Sequence, residues 1–289
     1  MSILPRLKTY YHLAKPERTY ANVLTTTAGF LLASKWHVSF WLLVSTLLGT
    51  SFVIASACVL NNYFDRKIDA KMPRTSNRAL VKGQVKPLRA LIFALILGLI
   101  GFAILVAYVN KLVVILGAIA YLDYVVLYGL AKRHTVHSTL IGTVAGAMPI
   151  AAGYCAVTDR IDSGAVLIYL IMTFWQMPHF YAIAIYRLKD YAAGGLPVLP
   201  VKKGIAITKK QIILYMLAFT VTAILPTIFG YSGIIYFIVV LAAALAWLRV
   251  GLRGFKTKDD TRWAKETFIF SLIVLLVFVF MLAVDPHLS

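Results

Sequence analysis

The stretch Asn61-Asn62-Tyr63-Phe64-Asp65-Arg66-Lys67-Ile68-Asp69, followed by Arg74 and Arg78, sets two carboxylates and an amide beside a dense group of cations. On a helix advancing about 100° and 1.5 Å per residue, Asn61, Asp65 and Asp69 share one face at intervals of roughly 6 Å. Such a row of hard oxygens suits Mg²⁺, which takes one or two protein carboxylates and completes its shell with water and substrate phosphate. Arginines beside it can grip the phosphate oxygens that the metal leaves uncovered. The same spacing is also produced by a solvated helix end whose carboxylates pair loosely with Arg66, Lys67 or Lys71. Position separates the two readings: the row closes a long apolar run, and ionisable groups at the mouth of a membrane helix are costly and usually functional. A second stretch, Tyr186-Arg187-Leu188-Lys189-Asp190, closes a later apolar run and repeats the i, i+4 pairing with a tyrosine in the first place.

Such residues need elements to hold them, and the composition says which kind. The chain has 289 residues, of which 61% are apolar and 14% charged, with a mean hydropathy of +0.82. A soluble domain is nearer half apolar and a quarter charged, so this is an all-α, polytopic membrane protein. The net charge of +18 is not a nucleic-acid footprint, because the basic residues sit in short loops between apolar runs and form no patch or arm. Cys58 and Cys155 both lie inside apolar runs, which excludes a disulfide framework and a thiolate metal cluster. Met1 to Lys15 lacks both an apolar core with a cleavage site and the length of a transit peptide, which points to a bacterial inner membrane.

Runs long enough to span, about 17 to 25 residues, occur near 20–35, 39–61, 89–109, 112–131, 138–158, 164–186, 211–230, 232–249 and 267–284. Lysine and arginine test that count, since cytoplasmic flanks hold the excess. With nine spans and the N-terminus inside, 26 of the 29 basic residues fall on the cytoplasmic side, leaving Lys35, Lys111 and Arg160 opposite. The C-terminus is then on the far side, and every loop with candidate chemistry is cytoplasmic. The two acidic stretches each leave the second helix of a group of four. The chain therefore reads as one membrane domain over 1–289, with halves at roughly 16–135 and 136–250 around a central cavity and a ninth helix at 267–284. Corresponding decorated segments in two halves mark binding sites in membrane proteins. Gly142 and Gly146 form a small-x-x-x-small pattern suited to close helix packing. Pro73 ends the helix that carries Asp69, leaving residues 74–83 as a loop able to fold over the site. Gly194, Gly195, Pro197 and Pro200 make a second long connection that can act as a lid.

Carboxylates for a metal, cations for phosphate and an apolar cavity at the membrane boundary together describe a site for a lipid diphosphate. The motif Asn61-x-x-x-Asp65-x-x-x-Asp69 with Arg74 and Arg78 resembles the first signature of the UbiA-type intramembrane prenyltransferases. Lys15-Pro16, Tyr128-x-x-x-Lys132 and the second acidic stretch extend the resemblance over most of the chain. Most members have aspartate where Tyr186 stands. Tyr186, together with Trp175-Gln176-Met177-Pro178-His179-Phe180 before it and Asp190-Tyr191 and Gly195-Leu196-Pro197-Val198-Leu199-Pro200 after it, is similar to the heme-prenylating members.

That resemblance implies farnesyl transfer from farnesyl diphosphate to a vinyl group of heme B, a substrate and not a resident cofactor, with addition of water. It implies Mg²⁺ on Asn61, Asp65, Asp69 and Asp190, and a leaving diphosphate neutralised by Arg74, Arg78 and Lys132 with Lys189 nearby. Asp65, Asp69, Tyr186 and Asp190 are the expected catalytic set, with Tyr128 and Tyr186 donating hydrogen bonds. Trp175 is expected to face the substrate, as are Phe64 and Tyr124, whose rings can stabilise an allylic cation by roughly 0.5 to 2 kcal/mol each. His179 is open to iron ligation, contact with a porphyrin propionate, or packing. Expected partners are the lipid bilayer and a downstream heme A synthase or terminal oxidase assembly. Lys202, Lys203, Lys209 and Lys210 read as a face near anionic lipid. Three rivals remain. A prenyltransferase acting on another aromatic or quinone-precursor acceptor would share the site. A transporter would carry charges at midplane depth in several helices, and a heme electron carrier would offer paired axial histidines.

Overall fold

The computed structural model describes residues 3–285; the two chain ends, to which the charge count assigns sides of the membrane, lie outside them. All the regular structure is helical. A short helix α1 (Ile3–Leu13) precedes α2 (Pro16–Ser34) and α3 (Phe40–Asp69). Then come α4 (Pro87–Tyr108), α5 (Lys111–His134), α6 (Ser138–Thr158) and α7 (Ser163–Tyr186). Two short helices, α8 (Leu188–Ala193) and α9 (Leu199–Lys203), lead to α10 (Ile205–Ile228), α11 (Ile234–Phe255) and α12 (Asp260–Val284). Among the described residues eight helices are long and apolar enough to cross a membrane. The 19-residue α2 packs among them but opens on Glu17 and Arg18 and buries Thr25 and Thr26. The chain is a multi-pass membrane protein.

Local chemistry explains the boundaries. Asn110 caps α5 by accepting from Val113 N–H at 2.9 Å, Asp162 caps α7 from Ala165 at 3.1 Å, and Asp259 caps α12 from Arg262 at 2.9 Å. The third helix runs eight residues beyond the apolar stretch, through Asp69, with Arg66 and Lys67 in its last turn where cations suit the helix dipole. A π turn over Asp123–Leu127 interrupts α5. Such single turns concentrate at functional sites.

The most enclosed helices are α6 and α7. Helix α2 has its broadest contact with α6 and also touches α3 and α12, while α12 packs on α7, α11 and α2. The backbones meet most closely where α2 crosses α6. A Cβ on Gly29 would lie 2.0 Å from the Ile150 carbonyl oxygen, and one on Gly153 would lie 2.0 Å from that of Thr26. Gly142 and Gly146 pack closely against neighbouring helices, as their spacing predicts. A Cβ on Gly142 would meet the Tyr128 ring at 2.8 Å, and one on Gly146 would meet Gln176 Oε1 at 1.9 Å. Those two glycines make room for side chains from α5 and α7, whereas Gly29 and Gly153, like Gly101 against α3, face backbone.

Candidate active site

At the end of α3, Asn61, Asp65 and Asp69 are all buried, with Asp69 only 2% exposed. Lys132 Nζ, at the end of α5, donates to Asp65 Oδ2 at 2.5 Å, and Arg133 approaches Asp65 Oδ1 at 3.5 Å while also bonding the Phe64 carbonyl at 2.9 Å. Arg78 reaches back from the loop to Asp69 Oδ2 at 2.5 Å. That loop is tied down by Thr75, whose hydroxyl donates to the Asp69 carbonyl at 3.0 Å, and by Leu80 and Val85, both buried.

The two acidic exits converge. Arg74 from the first lies 3.9 Å from Asp190 Oδ2 of the second, which Arg187 approaches at 3.8 Å. Gly194 seats against Met72 and Ile68, close enough that a Cβ there would stand 3.0 Å from Met72 Cγ. The connection through Leu196, Pro197, Leu199 and Pro200 is buried. Tyr186 ends α7 against Phe268, with the Arg187 guanidinium 4.6 Å from its ring centre. Lys189 points to the exposed side.

Several cluster members were not singled out as site residues from the sequence. Lys15 Nζ donates to Asn61 Oδ1 at 3.1 Å, and burial together with Arg18 and Arg78 pushes its pKa well below the ordinary lysine value. Arg18 hydrogen-bonds the Tyr124 hydroxyl. Tyr124 stacks on Tyr128 with ring centres 5.6 Å apart, and Lys132 Nζ lies 5.2 Å from the Tyr128 centre. Tyr191 lies near Arg74, Arg18 and Asp190, and burial raises its phenol, which keeps it a donor. The signals for these were the cations flanking Pro16 and the tyrosine beside Asp190. Asp123 gave another, a lone carboxylate inside the fourth apolar run. It is 3% exposed and accepts the Ala145 N–H of α6 at 3.1 Å, pinning the π turn that contains Tyr124 and precedes Tyr128.

Seven cations (Lys15, Arg18, Arg74, Arg78, Lys132, Arg133 and Arg187) thus surround three carboxylates. A site so unbalanced is complementary to a polyanion. Among the described residues no three His, Cys, Asp or Glu side chains group tightly enough to hold a metal by themselves. The donor set is therefore at most two adjacent carboxylates and an amide, which fits an ion such as Mg²⁺ that keeps waters and takes substrate phosphate.

The model of the UbiA prenyltransferase family matches residues 22–281. The chain belongs to that family. It is accordingly a membrane-embedded prenyltransferase. Over 282 residues it is 48% identical to a Photorhabdus laumondii protein named protoheme IX farnesyltransferase, covering 97% of this chain and 96% of that one. A Klebsiella pneumoniae protein of the same name is 47% identical, with 96% and 95% covered. Among solved structures, a digeranylgeranylglyceryl phosphate synthase superposes with a TM-score of 0.79 at 21% identity, over 96% of this chain and 99% of that one. A UbiA homologue from Archaeoglobus fulgidus bound to GPP and Mg²⁺ gives 0.72 at 16% identity, over 95% and 99%. Those two likenesses establish the fold.

Within this prenyltransferase, Trp175 and His179 pack along α7, and Phe268, which His179 meets, also touches Tyr186 at the second exit. Their partners are on α12: Trp175 Nε1 donates to the Ser271 carbonyl at 2.9 Å, and His179 Nδ1 lies 2.7 Å from the Ser271 hydroxyl. That hydroxyl donates to the Phe268 carbonyl at 2.5 Å, so His179 Nδ1 carries the proton and Nε2 the lone pair. The His179 ring stacks on Trp175 at 4.7 Å and meets Phe268 at 5.0 Å. Ser271→Ala should therefore cost about 1 kcal/mol, seen as a lower thermal midpoint in detergent. The Michaelis constant for the prenyl diphosphate should stay at the wild-type value.

Proposed function

We propose that this prenyltransferase transfers farnesyl from farnesyl diphosphate to a vinyl group of heme B. The observation that carries the reading is the near-full-length similarity to proteins named protoheme IX farnesyltransferase. It is supported by a cation-rich cluster at two converging helix exits. The C1–O bond of the donor breaks and diphosphate leaves. The vinyl carbon bonds to C1, and water adds to the resulting cation with loss of a proton, giving the hydroxyethylfarnesyl side chain of heme O.

Asn61, Asp65 and Asp69 are the residues that would hold Mg²⁺, with Asp190 serving a second ion from the other exit. A bound Mg²⁺ supplies neutralisation of diphosphate charge. Arg74, Arg78 and Lys132 bind the diphosphate oxygens and hold the leaving group. Lys15, Arg18 and Arg133 raise the same positive potential, and Lys189 adds to it from the rim. Tyr128, Tyr186 and Tyr191 donate hydrogen bonds. Fixed donors and charges aimed at a developing anion can contribute several kcal/mol. Phe64 and Tyr124, next to Asp65 and Arg18, are placed to face the allylic cation, while Trp175 and His179 hold α7 against α12. The halves at 16–135 and 136–250 contribute one exit each to a single domain, with α12 closing it. The protein works in a bacterial inner membrane with these loops cytoplasmic, handing its product to a heme A synthase or terminal oxidase assembly.

The reading is tested by incubating membranes containing the protein with heme B, farnesyl diphosphate and Mg²⁺, then weighing the extracted hemes. A heme heavier by one farnesyl plus water is expected, and chelation with EDTA should abolish it. Unchanged heme alongside a prenylated quinone precursor would transfer the protein to another acceptor class.

A further inference from the structure

Arg74 and Arg78 also line a cavity of 640 Å³, roofed by α1 and floored by the start of α2 and residues 74–84. Its walls include Lys8, His12, Lys15, Arg18, Arg74 and Arg78, against one carboxylate, Glu17. The roof is fixed. Asn62 Nδ2 donates to the Leu13 carbonyl at 2.8 Å, Leu13 is buried, and Tyr10 packs edge-on to Phe93 at 5.0 Å. Asn62 also lines the cavity; it is 4% exposed, and its Oδ1 has no hydrogen-bond partner.

Two basic side chains on this wall, Lys8 and His12, exceed what the transfer centre uses. Among the described residues neither Lys8 nor His12 is ion-paired, and both reach the cavity from α1, which contributes nothing to the carboxylate cluster. We infer that this cavity is the subsite for the acceptor's carboxylates: the two propionates of heme B lodge beneath α1 while the opposite, vinyl-bearing edge meets the prenyl donor. The inference rests on the heme reading above and deepens it. Arg74 and Arg78 line the cavity and also meet Asp190 and Asp69, so one arginine pair separates the two anionic substrates. The two anions share Arg74 and Arg78, while Lys8 and His12 are left to the propionates. A neutral aromatic acceptor would leave Lys8 without a partner.

The test uses the purified full chain in lipid nanodiscs with farnesyl diphosphate. The acceptor is either heme B or its dimethyl ester, which lacks the two charges. The double variant Lys8→Gln/His12→Gln should raise the KM for heme B about tenfold, as expected for losing charge-assisted bonds. The KM for farnesyl diphosphate should not change. Wild type should show a comparable rise with the ester, and the variant no further rise, while Lys8→Arg should retain wild-type affinity for heme B. Equal use of ester and acid by wild type, an unaltered KM for heme B in the variant, or a rise in the donor KM instead would each overturn the subsite. Failure of wild type to prenylate heme B at all would sink the heme reading, and the subsite with it.

Discussion

Asp65→Asn should lower prenyl transfer about 10³-fold, at the upper end of what removing one electrostatic contact to a reacting group costs. The substitution keeps the shape of the side chain and removes the charge that meets Lys132 at 2.5 Å. It also leaves an almost fully buried ammonium without its partner, and breaking such a pair costs about 3–5 kcal/mol of stability. Loss of activity could therefore be loss of fold. The double variant Asp65→Asn/Lys132→Met separates the two, because replacing both partners by groups of similar volume is often neutral. Its thermal midpoint should return towards wild type while its activity stays at the level of the single variant. Recovery of activity with stability would make the pair structural and remove Asp65 from the chemistry. Both quantities are read on monodisperse protein, by product formation and by melting in detergent.

The second large effect is expected far from any charge. Gly153→Leu places a side chain where a Cβ alone would stand 2.0 Å from the Thr26 carbonyl oxygen. No rotamer relieves a clash with backbone, so α2 and α6 must separate, at a cost of about 3 kcal/mol or more. Helix–helix association in lipid relies on such close approach, and α2 carries Arg18 to Tyr124. The variant should yield little folded protein by size-exclusion chromatography from membranes, and Gly29→Leu should behave alike. Gly142→Ala is the contrast. It meets only the Tyr128 ring, which can shift, so folding should survive and the damage should appear in activity.

What could be read from the chain follows from which interactions are local. The spans were legible because bilayer thickness imposes length and apolarity on each helix independently; α4, α5, α6 and α7 fall close to the expected runs, while α3, α10, α11 and α12 each extend well past theirs at one end into polar sequence that hydropathy does not mark. The row Asn61, Asp65, Asp69 was legible because helical periodicity is fixed by the backbone. Convergence of Arg74 on Asp190 was suggested by the matching positions of two acidic exits. Less legible were contacts that depend on which helices become neighbours. Lys15 bonds to Asn61 across 46 residues and Arg18 to Tyr124 across 106, and neither pairing leaves a periodic trace. The glycines illustrate the same limit: the spacing of Gly142 and Gly146 marked them for helix packing, but Gly29 and Gly153, on separate helices, left no pattern that paired them. For Trp175 and His179 a conspicuous string of residues signalled importance without saying which helix they would face, and they face Ser271 on α12.

The account depends on a diphosphate held by the end of α3 together with a divalent cation. Its most direct measurement is calorimetric titration of the purified protein with the non-ionising analogue farnesyl thiodiphosphate, with and without Mg²⁺, in wild type and in Asp69→Asn. Binding should be tight only when wild type and Mg²⁺ are both present, and should weaken at least a hundredfold when either is removed. Affinity that is the same without Mg²⁺ and unaffected by Asp69→Asn would contradict it.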